Sequence, residues 1–151
     1  MKILLAIDGS PCSDAAVQEI ATRRWPEESQ VKILSVATVP LPDVPDPLLV
    51  YYAVRLELVE KEHARLQDLV ERTAARLRDS EAGKHLHFDT AVREGSPKNE
   101  IVEEAEQWGA DLIVVGCHGY GNMKRFLLGS VSQAVAVHAP CSVEIVRRHH
   151  Q

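Results

Sequence analysis

No apolar run in the chain approaches the roughly 20 residues that a membrane-spanning helix needs. The opening Met1-Lys2-Ile3-Leu4-Leu5 has no long apolar segment and no small-residue cleavage site behind it. It reads as a short strand and not as a secretory leader, so the expected location is cytoplasmic, with no membrane partner. Cysteine is scarce. Cys12, Cys117 and Cys141 are too few and too scattered for a disulfide framework or a zinc cluster, and an odd number fits reduced thiols. No metal ligands are expected. His85 and His87 would share one face of a strand, but two histidines fall short of the three or four ligands of a metal site. Aromatic residues make up only 5%, which calls for an aliphatic, alanine-rich core. Basic excess is also missing. A net charge of −5 argues against nucleic acid as a partner, since that needs a basic surface. A small anion is not excluded, because local amides and cations can oppose the global charge.

What is present is regular alternation. At 151 residues and 45% hydrophobic content, the chain suits one domain with a sizeable core, here residues 1–147 with a polar tail over 148–151. A first apolar strand over residues 2–7 ends at Asp8. Ser10 then supplies an N-cap and Pro11 a favoured first helical residue. That helix runs to about residue 24 and buries Ala16, Ile20 and Ala21. A second strand covers 31–39. Four prolines between 40 and 47 then break regular structure, giving an extended excursion that serves as a passive loop or as a lid. A long helix over 48–78 carries a stripe of Tyr52, Leu56, Val59, His63, Leu66, Val70, Thr73 and Leu77, with His63 at its packed edge. A third strand follows over 85–93. Gly95-Ser96-Pro97 repeats the earlier helix entry, and Gly109 stops the resulting helix after Trp108. A last helix ends near His138 and a last strand runs from Cys141 to Val146. Strand and helix alternating five times predict an α/β fold, with a parallel sheet, helices on both faces and right-handed crossovers.

The densest local signal lies between residues 110 and 135. Residues 110–115 form a continuous apolar run, as expected of a strand buried on both faces. A glycine-rich loop follows, and Ser130 can cap the next helix with Gln133 completing a capping box. Glycines let backbone approach a ligand closely. Free amides at a helix start favour an anion. The hydroxyls of Ser130 and Ser132 can donate further hydrogen bonds. No Gly-Lys-Ser/Thr closes the loop, and it is not the Gly-x-Gly-x-x-Gly fingerprint. On spacing alone it serves equally as a phosphate cradle or as a connection into a capped helix. Lys124 and Arg125 can face an anion or stay solvated.

Several separate stretches carry a resemblance. They are Ile3 to Ser10, Glu94-Gly95-Ser96-Pro97, the run from Ala110 to Gly119, and His138-Ala139-Pro140-Cys141-Ser142-Val143. With them goes Gly116-x-x-Gly119, then nine residues, then Gly129-Ser130. Together they resemble the ATP-binding universal stress proteins over essentially the whole chain, with local departures at Cys117 and at Tyr120-Gly121-Asn122. The resemblance implies a Rossmann-like, open five-stranded sheet of order 3-2-1-4-5, related to the adenine nucleotide alpha hydrolases. It implies an ATP-dependent regulatory module of stress response. Asp8 and the backbone of Val36 would lie on the adenosine side. Val115, Gly116, His118, Gly119, Gly129, Ser130, Val131 and Ser132 would lie around the phosphates. Mg²⁺ would be held through phosphate oxygens and water. A homodimer through the edge strand, Cys141 to Val146, and an unidentified protein partner are also implied. Asp8 can alternatively cap its turn, and the Val36 side chain can be core. A slow ATPase or phosphotransfer enzyme is the alternative function, with His118 the only loop residue of suitable chemistry. Cys12 and Cys117 follow adjacent strand ends and are expected to border this site.

Overall fold

The computed structural model describes residues 1–38, 48–118 and 128–147, with backbone alone for 48–53. The proline-rich segment 40–47, Gly119, Tyr120-Gly121-Asn122, Lys124, Arg125 and the tail therefore lie outside the described residues. The elements in order are β1 (Lys2–Ala6), α1 (Pro11–Thr22), β2 (Gln30–Ala37), α2 (Leu48–Arg78), a 3₁₀ turn (Gly83–His85), β3 (His87–Glu94), α3 (Pro97–Trp108), β4 (Leu112–Gly116), α4 (Ser130–His138) and β5 (Ser142–Val146). The five strands form one sheet in the order β3-β2-β1-β4-β5, parallel throughout.

Side-chain alternation builds two cores from one sheet. Ile3, Leu5 and Ile7 join Val31, Ile33 and Val114 on one face, against Ala16, Val17 and Ile20 of α1 and Val70, Ala74 and Leu77 of α2. Leu4, Leu34, Ile113 and Val115 face the other way, against Ile101 and Ala105 of α3 and Val135 of α4. Each fully buried Leu or Ile contributes about 1.5–3 kcal/mol. The buried hydrophobic residues described are aliphatic apart from Cys117, with Trp25, Phe88 and Trp108 packed only at the margins. No helix among the described residues is long and apolar enough to cross a membrane.

The helix entries differ from one another. Ser10 caps α1 as expected, accepting from the Ser13 amide at 3.3 Å. Ser13 completes the turn by donating from Oγ to the Ser10 carbonyl at 2.9 Å and accepting from the Gly9 amide at 3.1 Å. Ser96 holds the corresponding position for α3 without a side-chain cap bond. For α4 the cap is Gly129 and Ser130 is already the first helical residue, so the expected capping box of Ser130 and Gln133 does not form. The Gln133 amide closes the first helical bond onto the Gly129 carbonyl at 2.9 Å, one residue earlier than the box requires. Gly109 ends α3 in the left-handed conformation, at φ 69°.

Two further expectations change. The buried stripe of α2 begins only at Leu66, while Val54, Leu56, Leu58 and His63 are exposed. The periodicity of α2 therefore runs on beyond the part of the helix that is buried among the described residues. His85 lies in the 3₁₀ turn and not in β3, so it does not share a strand face with His87.

The second face also carries a buried carboxylate. The Glu104 side chain, on α3, is only 5% exposed. It accepts from Lys32 Nζ of β2 at 2.7 Å and from Arg93 Nε of β3 at 2.9 Å. Lys32 also sits 4.6 Å from the Trp108 ring centroid, a cation–π contact. This clamp fixes α3 across two strands. Burial pushes the Glu104 carboxyl up, but the hydrogen bonds and charges of Lys32 and Arg93 outweigh it, so the group lies below its ordinary 4.5. A lowered folded-state value means that the ionised pair stabilises the fold above that range and fades as pH falls through it. Glu104→Gln should therefore cost about 2 kcal/mol at neutral pH, since it strips the partner from two cations. The gap to wild type should narrow in urea melts as pH drops below 4.5. A gap independent of pH would show that the clamp does not act through its charge.

Candidate functional site

The strand order reverses at β1. From there the chain runs outward through β2 and β3, then crosses back to place β4 on the opposite side of β1. Ligand crevices of open α/β sheets form at such a point, beyond the carboxyl ends of the strands. A crevice of about 500 Å³ occupies that place here. β1 and its continuation supply Ala6, Ile7 and Asp8, and β2 supplies Leu34 and Val36. Pro97 and Ile101 come from the start of α3, Val115, Gly116 and His118 from the end of β4, and Gly129, Ser130, Val131 and Ser132 from the entry to α4.

Nine of the ten residues singled out in the sequence, all but Gly119, thus line one crevice; Gly119 lies outside the described residues. Ser13, Pro97 and Ile101 line it without having been expected there. Ser13 carried a signal as the third residue after the cap Ser10. Ile101 carried one as an apolar residue a turn beyond the Gly95-Ser96-Pro97 entry.

The walls differ in chemistry. Leu34, Val36, Ile101, Ile7 and Val115 offer aliphatic surface. The start of α4 offers amides: those of Ser130, Val131 and Ser132 precede the first intrahelical bond and have no acceptor among the described residues. Ser130 is exposed and lines the crevice. Asp8 stands at the crevice and also caps its turn. It lines the crevice, and its Oδ1 accepts from the Ser10 amide at 2.8 Å, which holds the turn into α1. Asp8 and His118 are the only ionisable side chains among the described lining residues.

Two loop residues act differently from expectation. Ser132 is 2% exposed, and its hydroxyl donates to the Cys117 carbonyl at 2.9 Å and to the Gly129 carbonyl at 3.0 Å. That proton is spent closing the loop, so a ligand would meet the Ser132 amide and not its hydroxyl. The Gly129 amide likewise donates to the Cys117 carbonyl, at 2.7 Å. A Cβ on Gly129 would meet that carbonyl at 3.1 Å and the His118 Cα at 3.3 Å, so substitution there presses on the protein's own backbone.

Cys12 and Cys117 follow adjacent strand ends as expected, but neither is among the residues that line the crevice. Cys12 and Cys117 are 105 residues apart in sequence, yet their sulfurs lie 3.2 Å apart. His118 Nδ1 lies 3.2 Å from Cys117 Sγ. They are not scattered in space, because the end of β4 passes directly over the first turn of α1. Ser10 Oγ ties the two by donating to the His118 carbonyl at 3.3 Å.

A family model described as the universal stress protein family matches residues 1–147. The chain is 34% identical over 147 residues to universal stress protein MJ0531 of Methanocaldococcus jannaschii, covering 97% of this chain and 82% of that one. Its fold superposes on that of the protein MJ0577 with a TM-score of 0.82 at 27% identity, covering 99% and 97% of the two chains. A universal stress protein family protein from Arabidopsis thaliana, solved with AMP bound, has a TM-score of 0.63 at 17% identity over 99% of this chain and 92% of that one; it shares the fold.

The close pass of β4 over α1 makes its own prediction. A Cβ on Gly116 would stand 2.5 Å from the Cys12 carbonyl carbon and 2.8 Å from the Ser13 amide nitrogen, both backbone. Gly116→Ala should cost about 1–3 kcal/mol by overpacking, measured by urea denaturation, and Gly129→Ala less. Full stability in Gly116→Ala would mean that strand and helix do not approach this closely.

Proposed function

The chain belongs to the universal stress protein family, and from that premise we propose that its crevice binds an adenine nucleotide, with ATP as the ligand, as a regulatory module in stress response. The observation that carries this reading is the pairing of aliphatic walls from β2 and α3 with three amides at the start of α4 that have no acceptor among the described residues. A nucleotide needs that division. Its base is flat and largely apolar on its faces, and its phosphates need donors and positive potential. Asp8 is suited to the ribose hydroxyls, and the backbone beside Val36 to the edge of the base. Val115 and Gly116 form the floor between them, and Ser130 Oγ adds a hydroxyl donor to the amides of Ser130, Val131 and Ser132. His118 completes the described set on the loop side. Binding of AMP by a plant protein of the same fold is consistent with this assignment.

Mg²⁺ would travel with the phosphates. It would be held by phosphate oxygens and water, because the described lining residues offer no carboxylate cluster; Asp8, their only carboxylate, is assigned to the ribose. For hydrolysis or phosphotransfer the described residues offer little. A base or water-orienting group is required, and His118, the one basic candidate among the described lining residues, has Nδ1 set against the Cys117 sulfur. Ligand-dependent ordering around the crevice is the better-supported mode, presenting a surface to a protein partner.

The edge strand β5 is the proposed homodimer interface. Its paired partner β4 covers one side only, and Glu144, whose charge would otherwise guard the edge, is engaged by Arg23 at 2.6 Å. Sedimentation equilibrium should then give twice the 16.8 kDa chain mass, and a monomer at tens of micromolar would refute it.

Calorimetric titration with ATP, ADP and AMP tests the site. Ser130→Asp sharpens it. A carboxylate at the first helical residue complements the helix dipole and should leave thermal stability unchanged or slightly raised. The same charge beside the phosphates should weaken ATP binding by about tenfold or more. Flat titrations for all three nucleotides, or undiminished affinity in the stable variant, would dismiss the assignment.

A further inference from the structure

The thiols that meet behind the crevice are not used by the nucleotide reading. We propose that Cys12 Sγ, Cys117 Sγ and a ring nitrogen of His118 form a binding site for Zn²⁺ or a similarly thiophilic cation. The three ligand atoms all lie within 4.8 Å of one another. Sγ to Sγ is 3.2 Å, and Cys117 Sγ to His118 Nδ1 is 3.2 Å.

Donor chemistry selects the ion. Two sulfurs and an imidazole favour borderline and soft cations, and this cluster contains no carboxylate to attract Mg²⁺ or Ca²⁺. Two cysteines and one histidine are also a known three-ligand set for zinc, with a fourth position left for water or an incoming ligand. Geometry agrees. Tetrahedral bonds of about 2.3 Å to sulfur and about 2.0 Å to nitrogen place sulfurs about 3.8 Å apart and sulfur about 3.5 Å from nitrogen. The two 3.2 Å separations would open by about 0.3–0.6 Å to accept the ion, and the third pair already lies within 4.8 Å. A disulfide, at about 2.05 Å, would need the sulfurs to close by more than about 1 Å. The metal is the smaller adjustment.

The frame is built in advance. Cys12 is the second residue of α1, so the first turn of that helix holds its sulfur in place. Cys117 is 5% exposed and anchored on both sides of its Cα. Its amide donates to the Val146 carbonyl at 2.9 Å, and its carbonyl accepts from Gly129 and Ser132. The Ser10–His118 bond fixes the third ligand against the first. His118 Nε2 is buried with no hydrogen-bond partner among the described residues, so the chain described leaves this imidazole incomplete. With Nδ1 on a metal, Nε2–H becomes a donor to a group from outside the chain, and His118 lines the crevice from which one would come. On binding, each thiol that enters as S–H releases its proton to solvent, and the cation takes the sulfur lone pairs with no change of oxidation state.

The full chain, stripped with chelator and kept reduced, should be titrated anaerobically with Co²⁺ as a spectroscopic stand-in for zinc. Thiolate-to-cobalt charge transfer and strong tetrahedral ligand-field bands should saturate at one equivalent, and Zn²⁺ should abolish them. Cys12→Ser, at a half-buried position, carries the test because Cys117→Ser alters a buried residue. It should lose the charge-transfer band and weaken zinc binding by about 100-fold in a competition assay, with an unchanged circular dichroism melt. His118→Ala should also weaken it, and Cys141→Ser should keep wild-type spectra. No thiolate band in the reduced wild type, a band that survives Cys12→Ser, or a band lost in Cys141→Ser would overturn the proposal. A Cys12–Cys117 disulfide forming in air while the reduced protein ignores cobalt would overturn it too.

Discussion

Everything at the working end of this molecule depends on one constraint, the handedness of parallel crossovers. A right-handed connection puts its helix on a face set by the direction in which the sheet grows. The chain grows from β1 through β2 to β3, so α1 and α2 share one face. It then steps back past β1 to β4 and β5, so α3 and α4 take the other. Between β1 and β4 the two connections depart to opposite faces, and no helix among the described residues covers the strand ends there. The crevice is the space which that divergence leaves. Its walls are the first turns and strand ends that the divergence separates, which is why Asp8, Gly116 and Ser130 meet although they are far apart in sequence.

A space alone would not specify a ligand. The local chemistry at each strand end does that. At β1, Asp8, Ser10 and Ser13 use one another to close the turn into α1, a small polar network that satisfies its own donors. At β4, Gly129 and Ser132 satisfy the Cys117 carbonyl in the same way. Those bonds fix the loop ends while the first three amides of α4 stay without acceptors among the described residues. Rigid support beneath unsatisfied donors is the arrangement an anion site requires, since a loop free to fold back would satisfy them itself. On the opposite wall, the Glu104 clamp holds α3 to β2 and β3, which keeps Ile101 in place as aliphatic surface.

Much of this was legible in the sequence, for physical reasons. The buried strands β1 and β4 read as continuous apolar runs because both of their faces are covered. Gly109 and Ser10 read correctly because a left-handed C-cap and an N-cap are local events, decided by the residue itself. Strand order was not legible from periodicity, which fixes faces and not neighbours; it came from family resemblance. The α4 cap was misread because Ser130 and Gly129 both suit the position, and the choice between them falls to the Cys117 carbonyl, a partner set by the tertiary fold. The exposed part of α2 was misread because a stripe records which face could be buried, not how far the sheet extends. Buried Glu104 gave no signal, since a carboxylate among charged neighbours in a helix looks solvated until Lys32 and Arg93 arrive from other strands.

The meeting of Cys12 and Cys117 was half visible: both follow strand ends expected to be adjacent, but adjacency of ends does not bring sulfurs into contact. Gly116 supplies what was missing. Without a side chain, the last residue of β4 lets that strand end settle onto the backbone of Cys12 and Ser13, where a Cβ would stand 2.5 Å from the Cys12 carbonyl carbon. The same close pass does two things at once. It lowers the floor of the crevice between Asp8 and the start of α4, and it presses the residue after Gly116 against the first turn of α1. A glycine that sequence reasoning assigns to ligand approach therefore also sets helix-to-strand distance. The crevice on one side of it and the sulfur–imidazole cluster on the other are consequences of one contact, so a shift of β4 relative to α1 reaches both.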